Sequence, residues 1–201
     1  MASLEAFPPT AARVQCSKVI NGFDRQRVIN RAVGDEDGSS LCFETLTSNM
    51  GATHVTKGSE CKDDINHRLV EVTTIDTLFK TALVGMGGPS VIKMDCEGCE
   101  MNALLGYKKL FPKHLPAMIF VELQSATLSR YGHNSREVVR WIMSQGPGYR
   151  LFTLPLEGHN FTEVTWREVE AETGPEPCHA CNGVFVRANA AELLLPIYGI
   201  S

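Results

Sequence analysis

Acidic residues recur in this chain where a predicted strand gives way to a turn. Leu4-Glu5, Val33 ahead of Gly34-Asp35, Met94-Asp95 and Val121-Glu122 each join a short apolar run to a carboxylate. In an open parallel sheet, ligands settle beyond the carboxyl ends of the strands. Carboxylates gathered there suit a ligand with hydroxyls to donate or a positive charge to balance. Asp95, Glu97 and Glu100 also fall at a predicted helix start, where the macrodipole favours acids whatever the function. Two Cys-x-x-Cys pairs, Cys96/Cys99 and Cys178/Cys181 with His179 inside the second, have the outline of a four-thiolate zinc site. Their wide separation is unusual for a zinc ribbon, and Glu97 and Glu100 would raise thiol pKa values and so disfavour a redox-active pair. Small buried thiols for the first pair, a loop pair for the second and no metal are therefore expected. The six histidines are scattered without a ligand pattern; only His133, after a strand edge, could meet an acceptor. The polar loop Ser48-Asn49-Met50-Gly51-Ala52 could close over a site.

Turn signals cut the chain into the elements that must position these acids. Pro8-Pro9 and Asn21-Gly22 bracket a helix over about Thr10 to Ile20, and Val28 to Val33 reads as a strand stopped by Gly34-Asp35. Residues 39–66 are polar and rich in Gly, Ser and Thr, with one strand at Leu41 to Thr45, and read as an insertion or flexible loop. Leu69 to Thr73 alternates apolar and polar residues like a half-buried strand. Val91 to Met94 and Ala117 to Val121 are apolar runs joined by a helix from Gly98 to Lys109, which makes a right-handed crossover between parallel strands. Asn134-Ser135-Arg136-Glu137 is a capping box opening a helix through Val138, Trp141 and Ile142 to Gly146-Pro147-Gly148. Tyr149 to Leu154 and Gly183 to Val186 are final strands, and 187–201 is a tail. This alternation predicts an α/β three-layer, Rossmann-like fold with a mostly parallel sheet, as one domain over 1–201.

The 201 residues carry 43% hydrophobic and 21% charged side chains and a formal net charge of −4. A length of this order buries about 70% of the unfolded surface, enough for a core without staples. The charge balance argues against a nucleic-acid partner, and no apolar run approaches a membrane span. The first residues lack the basic start of a secretory signal. Seven cysteines are too few for a disulfide scaffold, so reduced thiols and a cytoplasmic setting are expected. No G-x-G-x-x-G follows a first strand, which excludes a nicotinamide-binding Rossmann enzyme.

The string Val91-Ile92-Lys93-Met94-Asp95-Cys96-Glu97-Gly98-Cys99-Glu100, followed by Leu104-Leu105-Gly106, resembles the hallmark segment of FkbM-family methyltransferases. Asn30 to Asp35, Val72 to Leu78 and Met118 to Glu122 resemble its flanking elements in the same order. The resemblance covers roughly Leu4 to Gln124. It implies a class I methyltransferase fold that uses S-adenosylmethionine and transfers methyl to a hydroxyl of a small molecule or glycan. By the same resemblance, Glu5 would hold the cofactor ribose and Arg31 and Ala32 the adenine end. Asp95 and Glu97 fall where cofactor and acceptor meet, with Asp95 or Glu97 the helper in removing the hydroxyl proton and Glu122 the third catalytic acid. The family's first strand and glycine-rich turn would precede Leu4, so the chain reads as amino-terminally truncated. It is accordingly expected not to methylate, nor to bind S-adenosylmethionine at micromolar levels. The alternative is a non-catalytic remnant of the fold that acts as a binding module.

Overall fold

The structure, a computed structural model, describes residues 1–46, 49–56, 61–62, 64, 66–146, 148–155, 162–165, 167–168 and 180–194. The chain forms two compact units, residues 1–86 with 102–107 and residues 87–101 with 108–201. Among the described residues no helix is long and apolar enough to cross a membrane.

In the first unit, β1 (Ala2–Glu5) leads into α1 (Pro8–Ile20), and β2 (Arg27–Asn30) returns parallel to β1, with Glu5 opposite Asn30. Proline at the first helical positions costs α1 nothing, because those N–H groups have no intrahelical acceptor. The single strand expected over Val28 to Val33 is broken at Arg31. β2 pairs with β1, whereas β3 (Ala32–Val33) pairs in parallel with β6 (His67–Thr73). Residues 39–66 are not simply a loop. β4 (Ser40–Leu46) and β5 (Asn49–Val55) form an antiparallel ribbon, and β4 also pairs antiparallel with β6. The lid expected at Ser48 to Ala52 is therefore mostly strand, with Ser48 outside the described residues. Ala32, Val70 and Val72 form the core here, with Leu41 and Phe43 packed against them.

The corner between β6 and α2 (Ile75–Leu78) is tied by Asp37. Its carboxylate accepts from Thr74 N (2.7 Å), Thr77 Oγ1 (2.8 Å), Thr73 Oγ1 (3.0 Å) and Thr74 Oγ1 (3.2 Å). The Thr74 backbone bond, followed by the Thr77 hydroxyl, holds the Asp37 pKa below its usual value. A depressed acid stabilises the fold above its unfolded pKa, and that contribution fades as pH falls through the folded value. Asp37 is exposed, so solvent screening limits its contribution to at most ~1 kcal/mol, and Asp37→Ala is expected to lower Tm by no more than about 2–4 °C at neutral pH. The gap from the parent protein should close in acid; a gap that stays constant to the lowest pH would refute the role of the charge.

The second unit contains β7 (Val91–Met94), the start of α3 (Glu100–Leu105), α4 (Phe111–His114) and β8 (Met118–Gln124). α5 (Ser125–Leu128) and a 3-10 turn lead to α6 (Ser135–Ser144), which opens on the expected capping box of Asn134 and Glu137. β9 (Tyr149–Pro155), β10 (Thr162–Val164), β11 (Ala180–Arg187) and α7 (Ala188–Leu194) complete it. The strand order is β10-β9-β11-β8-β7. Among the described strands of this sheet, only β7 and β8 pair in parallel, so the sheet is mixed and the mostly parallel expectation is corrected. The cause is β11, which lies antiparallel between β8 and β9 and separates two strands that run the same way. The supposed tail also folds in part: Ala191 of α7 is buried with Met118, Phe152, Val184 and Val186.

The reduced-thiol expectation is overturned as well. Cys42 pairs with Cys61 and Cys96 with Cys99 across Cα separations of 5.4 and 5.5 Å, inside the range a disulfide spans. Cys181 is disulfide-bonded too, and Cys16 is the free cysteine among the described residues. Cys178 and His179 lie outside the described residues.

Candidate active site

Three of the acids named from the sequence come together in the second unit. Asp95, Glu97 and Glu122 each place a carboxylate oxygen within 4.8 Å of the other two, an arrangement that could hold a metal ion. Register explains how residues so far apart in sequence meet. Met94, the last residue of β7, lies opposite Val121, so Asp95 leaves its strand beside Glu122. Glu122 does not end its strand as the apolar run implies. β8 continues to Gln124, because β11 pairs alongside and sets Asn182 opposite Glu122. Along β8, Ile119, Val121 and Leu123 are buried on one face, while Phe120, Glu122 and Gln124 share the other with Met118 and are half-buried.

Glu97 reaches the cluster from a tight turn after β7. Its φ is 57° and that of Gly98 is 107°, two consecutive left-handed residues. Gly98 lies so close to the Thr127 carbonyl that a side chain there would overlap it. The helix expected from Gly98 to Lys109 consequently starts only at Glu100 and ends at Leu105. In the first unit, Gly106 comes equally close to the Gly34 carbonyl, and its own carbonyl accepts from the Asp76 amide (2.9 Å), so the motif glycine serves close approach.

The electrostatics are one-sided. Lys93 Nζ, near the end of β7, donates to Asp95 Oδ2 just past it at 2.7 Å. Glu100 is buried to 1% exposure; its Oε1 accepts from Cys96 N (3.0 Å), while Oε2 has no protein partner. Burial raises its pKa. Glu122 Oε2 is also buried without a partner. Burial first, then the charges of Asp95, Glu97 and Glu100, push the Glu122 carboxyl up to about 7, with Lys93 pulling the other way. Lys93 and Glu100 were not singled out as site residues; the alternation Lys93-Met94-Asp95 and the third acid of the motif were the signals.

In the first unit, Glu5 Oε1 accepts from Phe7 N at 2.9 Å, and burial raises the Glu5 pKa. Asn30 Nδ2 bonds the carbonyls of Glu5 (2.9 Å) and Ala6 (2.7 Å), which fixes the end of β1. Arg31 is half-exposed and ion-paired with Glu71 at 3.1 Å, and Ala32 is buried in the core at 2% exposure. His133 Nδ1 lies 3.1 Å from Glu137 Oε2 beside the capping box.

A family model described as the Methyltransferase FkbM domain matches residues 4–151. The chain belongs to the FkbM methyltransferase family. The FkbM match extends past Gln124, where the sequence resemblance fades, into β9. The solved structure of methyltransferase FkbM from Methylobacillus flagellatus KT is similar at 17% identity and a TM-score of 0.49, over 92% of this chain. The chain spans 36% of that protein's length. No curated protein matches it significantly.

Proposed function

We propose that this FkbM-family chain carries an S-adenosylmethionine-dependent methyltransferase site that acts on a hydroxyl of a small molecule or glycan. The observation that carries the reading is Glu122. Its buried, unpartnered oxygen sits beside Asp95 and Glu97, and its protonation midpoint is near 7. A general base works best with a pKa near the operating pH, and an oxygen without a protein partner can accept a proton from an acceptor hydroxyl. Asp95 and Glu97 keep that base strong, because their charges oppose a further negative charge on Glu122. The donor set fits the cofactor: carboxylates accept ribose hydroxyls and balance a cation. When bound, S-adenosylmethionine supplies a methyl group on a positively charged sulfur. Holding acceptor and donor in line would provide most of the rate.

Glu5 is assigned the ribose hydroxyls, since the Phe7 amide already fixes one of its oxygens. Arg31 and Ala32 are assigned the adenine end, where the buried Ala32 side chain leaves its backbone as the contact. Charge-assisted bonds of this kind are worth ~1.5–3 kcal/mol each. In any cofactor-competent form of the protein, Glu5→Gln is therefore expected to weaken cofactor binding at least tenfold, read as NMR shifts in a titration carried to millimolar S-adenosylmethionine. Unchanged affinity would remove Glu5 from the site. The function itself is tested by transfer of labelled methyl from S-adenosylmethionine to a panel of sugars and small alcohols. Label in hydroxyl ethers supports the reading. Neither binding nor transfer would leave the fold as a binding module.

A further inference from the structure

The Cys96–Cys99 disulfide encloses Glu97 and Gly98, the two residues whose left-handed backbone carries a carboxylate to Asp95 and Glu122. Left-handed backbone is natural for glycine and resisted by glutamate. The acids that Glu97 joins repel it, so backbone preference and charge both push it away from the observed position. Two covalent and polar ties oppose them: the disulfide itself and the Cys96 amide bonded to Glu100 Oε1 at 3.0 Å.

We propose that Cys96 and Cys99 form a redox switch on this turn. As a disulfide they hold Glu97 beside Asp95 and Glu122, and as a dithiol they release it. Reduction breaks the S–S bond and takes up two electrons and two protons, giving two thiols. The reductant is a dithiol, small or protein-borne, that leaves as its own disulfide. Both cysteines are part-exposed, so such a reductant can reach them. The ring spans a sequence separation of 3, against 19 for Cys42–Cys61. So short a ring removes little chain entropy from the unfolded state, which makes it a poor staple. Its effect is concentrated on the residues it encloses. The inference needs Glu97 in the acid cluster and does not need the cluster to methylate.

The test uses the full chain and amide exchange read by NMR. Under oxidised glutathione, Cys96 and Cys99 should resist alkylation; after dithiothreitol, both should be labelled together. Reduction should speed exchange of the Cys96 amide at least tenfold and shift the Glu97 resonances, while the β7 and β8 amides keep their rates. Cys96→Ser/Cys99→Ser without reductant should reproduce the reduced pattern with Cys42–Cys61 intact. Should that variant fail to fold, reduction and reoxidation of the parent decide. Alkylation under oxidising conditions, or exchange at 96–100 that ignores reduction, overturns the switch. Loss of protection through β7 and β8 as well would make the disulfide a structural staple and also overturn it. Each readout is independent of cofactor and acceptor, so failure of the methyltransferase reading leaves the result interpretable.

Discussion

In any cofactor-competent form of the protein, Glu122→Gln is expected to lower methyl transfer by about 10²–10⁴-fold, the range general base catalysis supplies, with little change in cofactor affinity. Glutamine mimics the protonated carboxyl in size but cannot take a proton. The parent rate should rise with pH through a midpoint near 7, where Glu122 loses its proton, and the variant rate should be flat there. Stability moves in the opposite direction. An acid whose folded pKa is raised above its usual 4.5 binds more protons folded than unfolded between about 4.5 and 7. Its favourable contribution is complete below the unfolded pKa and is lost as pH rises through 7. Glu122 is only partly buried, and solvent screening discounts the shift to ~1 kcal/mol. The parent Tm should therefore fall by about 2–4 °C between pH 5 and 8 relative to Glu122→Gln. A variant with full activity, or one whose stability tracks the parent at every pH, would take Glu122 out of the role assigned to it.

The part of this site that the sequence made legible is the part whose geometry is local. Asp95, Glu97 and Glu100 lie within six residues, and a strand followed by an acid-rich turn and a helix can be read from period and glycine alone. Glu122 was legible as a partner only because two apolar runs end alike; that β8 continues through it depends on β11, about 60 residues later in the chain. The same distant strand turned an expected parallel sheet into a mixed one, since alternation reports which elements follow one another but not which strand inserts between two others. Residues 39–66 read as a loop because Gly, Ser and Thr predominate. Yet β4 is paired on both sides, by β5 and β6, and ladder bonds do not require apolar side chains. Cysteine pairing is a matter of Cα separation, which spacing in sequence does not give. Local chemistry was readable; pairing between distant segments was not.

Gly98→Ala is expected to be the most damaging single-methyl change in the site. At φ 107° a side chain is strained wherever it points, at about 1–3 kcal/mol. Here it would also overlap the Thr127 carbonyl at the end of α5. Relief requires either the turn or α5 to move, and both belong to the second unit. At about 2–4 °C per kcal/mol for this size, Tm should fall by roughly 5–10 °C. The turn also carries Glu97, so its displacement should withdraw one of the charges that raise Glu122, and the Glu122 midpoint should drop below 7. Glu97→Gln provides the control, because it removes the same charge without touching the backbone. It should lower the Glu122 midpoint similarly while leaving Tm near the parent value. If Gly98→Ala retained the parental Tm and midpoint together, the left-handed turn and its contact with Thr127 would not be what sets Glu97 beside Asp95 and Glu122.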